Sequence, residues 1–150
     1  MPKTLFYLMP AINTQPSAIE SVFLAACQLA EKHYRQQQFI YIHCQDKQQA
    51  YAIDELLWQF EPTAFVPHNL KGEGPVTGSP VEIGFDKLGA NKSRHLLINL
   101  ADQVPSFAVN FPHIIDFVAN DDALKQIARA RYRDYKQLGI ELTTTEFTGV

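Results

Sequence analysis

The sequence predicts an α/β domain, a parallel-rich sheet with helices on its faces, and three observations carry that reading. Apolar runs of strand length alternate with segments of helical period, an order that favours parallel strands joined by helical crossovers. The chain has 150 residues, 46% of them hydrophobic, which suits one domain over 1–150 with a core of its own. Gly and Pro gather between the periodic segments, where a folded chain turns, and not inside them.

Leu5-Phe-Tyr-Leu-Met9 is the first strand; it is too short for a secretory apolar segment and has no small-residue cleavage site. Ser17 is placed to cap a helix over 18–37, in which Ile19, Val22, Phe23, Ala26, Leu29, Ala30 and Tyr34 keep an i, i+3/i+4 stripe. Phe39-Ile-Tyr-Ile-His-Cys44 is aromatic and β-branched, as an interior strand is. Asp46, with Gln49 three residues on, opens a second helix that runs to about Phe60. Thr63-Ala-Phe-Val-Pro-His68 is a third strand, placed at an edge or strand end by Pro67. A loop over Asn69–Pro80 follows, with three glycines and two prolines. Val81–Phe85, His95–Leu100 and His113–Val118 are three further strands, with a polar loop over Lys87–Arg94 and a short helical connection over Ser106–Asn110. A third helix spans 121–138.

That helix has two faces. Leu124, Ile127, Ala128, Tyr135 and Leu138 form an apolar stripe, while Lys125, Arg129, Tyr132, Arg133 and Lys136 recur at similar spacing on the other side. The window Lys125–Lys136 holds five basic residues and one acidic residue, a formal +4. The rest of the chain, with eight basic and fifteen acidic residues, is −7. A basic stripe with a tyrosine set into it, on an otherwise acidic protein, suits an anionic ligand that also carries an apolar or aromatic group; a solvated helix face is the bland alternative. The net charge of −3 argues against a protein that coats nucleic acid, so little direct DNA binding is expected. No apolar run approaches the ~20 residues that cross a bilayer. A cytoplasmic protein without a membrane role is expected, with Cys27 and Cys44 as small buried residues.

Tests for chemistry fail. The five histidines lie far apart, with no H-x-x-x-H or C-x-x-C spacing for a metal. Gly72-Glu-Gly-Pro-Val-Thr-Gly78 lacks the lysine of a phosphate loop, carries Glu73, and joins two strands where a nucleotide loop joins a strand to a helix. No cofactor, nucleotide site or catalytic group is therefore expected. A site assembled from His43, Asp46, His68 and Glu73 is the enzyme alternative, and Cys44 is the better placed of the two cysteines for a nucleophile. Trp58, Phe60, Phe65, Val66 and Leu70 group large apolar side chains around a helix end and a loop, either as a core corner or as a partner surface.

Asp54-Glu-x-Leu-Trp58, Phe65-Val-Pro-His-Asn-Leu70, Gly72-Glu-Gly-Pro75, Ser79-Pro-Val-Glu-Ile83 and Leu124-Lys-Gln-x-Ala-Arg-x-Arg-Tyr132, in this order, resemble the chi subunit family of bacterial DNA polymerase III. The resemblance runs from about Thr4 to Phe147. It implies a Rossmann-like three-layer α/β fold without a nucleotide site, and a non-catalytic subunit of the clamp-loader assembly. It implies two partners, the psi subunit and the acidic, phenylalanine-terminated C-terminal tail of single-stranded DNA-binding protein. The family's tail-binding residues fall on Val118, Lys125, Arg129 and Tyr132, with Arg133 where a lysine is common. Its psi-facing surface falls on Trp58, Phe65, Val66, Pro67, His68, Asn69 and Leu70. The family's link to a repair helicase adds a second, mutually exclusive partner for that region.

Overall fold

The computed structural model describes residues 2–11, 17–75, 78–90 and 92–149. Its strands are β1 (Lys3–Leu8), β2 (Ile40–His43), β3 (His68–Leu70), β4 (Val81–Gly84), β5 (Leu96–Asn99), β6 (His113–Val118) and β7 (Glu141–Glu146). They form one sheet ordered β3-β4-β2-β5-β6-β1-β7, and its pairings are parallel throughout. The helices are α1 (Ala18–Arg35), α2 (Lys47–Gln59) and α3 (Asp122–Gln137), and a 3₁₀ turn spans Ser106–Asn110. This is a Rossmann-like α/β fold.

Period-two alternation sorts each strand between two cores. Ile40, Ile42, Leu96, Ile98, Ile115 and Phe117 pack with Val22, Leu29, Ile53 and Leu57 of α1 and α2. Phe6, Tyr41, Leu97 and Ile114 pack on the opposite face with Phe107, Phe111 and Tyr135. All residues of β2, β4 and β5 are buried, as expected of parallel strands covered on both faces. Caps fix the helix starts: Ser17 Oγ accepts from the Glu20 amide at 3.3 Å and Asp46 Oδ1 from the Gln49 amide at 2.8 Å. Gln49 Oε1 reaches back to the Gln45 amide, one residue before the cap.

The structure departs from the sequence reading in four places. Residues 63–67 are not a strand; β3 begins at His68, because Pro67 has no N–H to give a ladder, although its carbonyl still accepts from Val81. The loop expected over Asn69–Pro80 accordingly starts two residues later, and its Val76 and Thr77 lie outside the described residues, as does Asn91 of the Lys87–Arg94 loop. Helix α1 stops short of Gln37, which takes a left-handed φ of 64°. β7 has no counterpart among the expected strands. Its Glu-Leu-Thr-Thr-Thr-Glu run lies at the sheet edge, mostly exposed, so it lacks the apolar alternation that announces a half-buried strand. Gly139, at φ 77°, makes the turn into it: Gly139 N–H bonds to Lys136 O and Ile140 N–H to Tyr135 O, closing α3 with a Schellman motif.

Candidate functional site

Between α3 and the ends of β1, β6 and β7 lies a cleft of about 270 Å³. Phe6, Leu8, Val118, Ala128 and Thr144 supply its walls, and Lys125, Arg129 and Tyr132 its helical side. An engineered apolar cavity of ~150 Å³ already takes up benzene, so this volume admits a phenyl ring. The Tyr132 ring stands 5.6 Å from that of Phe6, tilted, and is 38% exposed, leaving one side free for contact. Among the described residues no ion pair occupies Lys125 or Arg129. The arrangement offers an apolar slot beside two cations, complementary to an aromatic group attached to a carboxylate.

A buried network fixes which face of α3 the cleft meets. Asp121 caps the helix by accepting from the Leu124 amide at 3.0 Å. Ten residues after that cap, Arg131 Nε donates to both oxygens of Asp116 at 3.1 and 3.2 Å, and its Nη2 donates to the Phe117 carbonyl at 2.9 Å. Tyr135 and Asn99 also donate to Asp116 Oδ2, at 2.7 and 3.2 Å. Burial and the Asp116 carboxylate push the Tyr135 hydroxyl well above its ordinary range, so it stays a donor. With Arg131 and Tyr135 held inward, Lys125, Arg129 and Tyr132 face the cleft.

Four of the five residues expected to bind the tail, Val118, Lys125, Arg129 and Tyr132, thus meet in one cleft, while Arg133 is exposed and does not line it. Leu138, expected in the apolar stripe, is half exposed, and Arg131, counted in the basic window but in neither stripe, turns inward. Sequence reasoning did not single out Phe6, Leu8, Ala128 or Thr144 as lining residues. For Thr144 the available signal was the β-branched run of β7.

The second candidate surface lies across the molecule's sheet at α2 and β3. Trp58 and Phe65 are 57% and 63% exposed, with rings 5.9 Å apart. His68 supports the Trp58 ring, 4.7 Å from it, its side chain fully buried between the Val66 carbonyl (2.6 Å) and Asp54 (3.3 Å). Val66 is a correction: it is 1% exposed, part of the core under α2, and has no surface to offer a partner. Pro67, Asn69 and Leu70 are half-buried, and Asn69 shapes the glycine loop by donating to Leu70 O and accepting from the Ser79 amide.

The enzyme alternative does not assemble. Asp46 is the α2 cap, His68 is locked under Trp58, Glu73 is exposed on the loop, and His43 lies on the far face against Tyr41 and Phe107. Both cysteines are fully buried: burial and then the Asp46 carboxylate push the Cys44 thiol far up, and burial pushes the free Cys27 thiol up to about 12. Among the described residues no group of three or more His, Cys, Asp or Glu is placed to hold a metal, and no helix is long and apolar enough to cross a membrane.

His43 has a consequence for stability. Burial lowers its pKa to about 4, against a smaller upward pull from Asp86. The neutral ring therefore favours the fold above the unfolded value of about 6.5, and that contribution disappears as pH falls towards 4. Urea unfolding at a series of pH values should show stability falling over this window by up to about 3 kcal/mol from this group, and His43→Gln should flatten that part of the profile.

The DNA polymerase III chi subunit (HolC) family model matches residues 1–143. The chain is 39% identical over 144 residues to DNA polymerase III subunit chi of Escherichia coli K12, covering 96% of this chain and 97% of that protein. It is 44% identical over 119 residues to the subunit chi of Haemophilus influenzae, covering 79% and 83%. Against that of Pseudomonas aeruginosa it is 38% identical over 142 residues, covering 95% and 94%. A crystal structure of T4 UvsW superposes with a TM-score of 0.63 over 97% of this chain and 41% of that one; at 10% identity the likeness concerns the fold alone. With these matches over nearly its whole length, the chain belongs to the DNA polymerase III chi subunit family and is an accessory subunit of DNA replication.

Proposed function

We propose that this chi-family chain is a non-catalytic cytoplasmic adaptor that joins the clamp loader, through the psi subunit, to the C-terminal tail of single-stranded DNA-binding protein. The observation that carries the reading is the α3 cleft, an apolar slot of ring size flanked by Lys125 and Arg129. In this reading the tail's terminal phenyl ring rests against Leu8, Val118 and the open side of Tyr132, above buried Phe6. Arg129 pairs with the terminal carboxylate, and Lys125 meets the preceding aspartates. Arg133 and Lys136, exposed on the same helix, contribute long-range attraction. Isothermal titration with a synthetic peptide ending in acidic residues and phenylalanine tests it, and removing that phenylalanine should abolish most of the affinity. A single-stranded oligonucleotide should not displace the peptide; if it does, the basic stripe serves nucleic acid and the adaptor reading fails.

The Trp58–Phe65 pair is the psi-facing surface of this reading, and a repair helicase competes for it. Two exposed aromatic rings in contact, the Trp58 ring braced by a buried histidine, have the build of interface anchors. Phe65→Ala should weaken psi pairing by about 2 kcal/mol or more while peptide binding at α3 stays unchanged. Co-purification and calorimetry with the psi subunit read both; unaltered pairing would remove Phe65 from the interface.

A further inference from the structure

On the face of the sheet away from α3, at the amino ends of the strands, lies a second cleft of about 440 Å³. Lys3 of β1, His113 of β6, and Lys32 and His33 from the last turn of α1 line it, over a floor that includes Leu5 and Tyr7. No aspartate or glutamate lines it. In a chain with sixteen acidic and thirteen basic residues, that one-signed lining is notable. Basic residues in the last turn of a helix ordinarily answer the helix dipole, which accounts for Lys32 and His33. It does not account for Lys3 and His113, which start neighbouring strands as register partners. The register partner of Lys3 on β7, Glu141, is exposed, does not line the cleft and forms no ion pair with Lys3.

The donors suit a tetrahedral anion. Two ammonium groups and two imidazoles approach from β1, β6 and α1, and no guanidinium fork is present to select a planar carboxylate. His33 Nδ1 lies 2.7 Å from Gln38 Oε1, which can only accept, so Nδ1 carries the hydrogen and the other ring nitrogen donates only when the ring is protonated. Burial first, then the nearby Lys32 and His113, lower the His33 pKa, outweighing the upward pull of Gln38. An anion in the cleft reverses the sign of that field, so binding draws a proton onto His33. We propose that this cleft binds a phosphate oxyanion, either a free phosphoanion or a phosphate of a nucleic-acid strand.

NMR titration of the full chain, following the ring protons of His33 and His113 at constant ionic strength, tests the proposal with three probes. Sulfate is a tetrahedral dianion whose own charge is constant between about pH 5.5 and about pH 7.5; it should bind saturably, and about tenfold tighter at the lower pH. Lys32→Ala and His113→Ala, both at exposed positions, should each weaken it by about fivefold, whereas Lys136→Ala on α3 should leave it unchanged. Pyrophosphate and an oligothymidylate then separate the sources. Saturation by pyrophosphate alone assigns a free phosphoanion, and matching shifts with the oligonucleotide, lost in the same variants, assign a strand phosphate. Absence of saturable shifts, shifts that survive Lys32→Ala and His113→Ala, or tighter binding of an acidic peptide than of either phosphate probe would overturn it.

Discussion

Arg129→Ala is expected to weaken binding of an acidic peptide with a C-terminal phenylalanine by about 2–5 kcal/mol, the range for truncating a charge-assisted hydrogen-bonding group at an interface. Arg129 is exposed in the free protein, so the loss should sit towards the lower end unless the peptide seals it from water. Tyr132→Ala should also weaken binding, because it removes the partly exposed ring that packs on buried Phe6 and walls the cleft. Lys125→Ala should cost less and should flatten the salt dependence, since screening acts mainly on charges that remain solvated. Titration calorimetry on the three variants decides the matter. If Arg129→Ala and Tyr132→Ala both bind as the unaltered chain does, the basic stripe is a solvated face and the adaptor reading loses its site.

Arg131→Ala should destabilise the fold by about 3–5 kcal/mol, because it leaves the Asp116 carboxylate buried without its cation. Asp116 is fully buried, and Arg131 gives it two hydrogen bonds from Nε and an ion pair at 3.0 Å from Nη2. Tyr135 and Asn99 still donate to it in the variant, which keeps the loss from being larger. A loss of this size is a large part of the ~5–15 kcal/mol that holds a typical domain together. Adding Asp116→Asn to Arg131→Ala should recover part of it, since a neutral amide is cheaper to bury than an unpaired carboxylate. Urea unfolding measures both. A cost below about 1 kcal/mol for Arg131→Ala would mean that the pair does not anchor α3.

The alternation of apolar runs and helical periods was sufficient for the α/β class, for five of the strands in outline, and for the three helices to within a few residues of their ends. Those elements are legible because each buries a face, and burial leaves a period in the sequence. The edge strand β7 buries little and left no such period. Pro67 was read correctly as a mark of a strand end, but the strand begins after it, where the His68 and Leu70 backbones can pair with β4. At α3 the spacing of Lys125, Arg129 and Tyr132 placed them on one face, and the structure does bring them to one cleft.

Local matters are legible along the chain: where caps begin helices, which residues share a face, and which chemistries lack their motifs. Packing between distant elements selects which of five basic residues in α3 turns inward, because that depends on Asp116, a carboxylate on a neighbouring strand fifteen residues away. It alone set Val66 in the core beside an exposed Phe65, since strand-like alternation says that neighbours part but not which of them meets the helix. It alone brought Phe6, Val118 and Thr144 from three strands to one side of a helix. A cleft is a relation between elements far apart in the chain, and no local period records it.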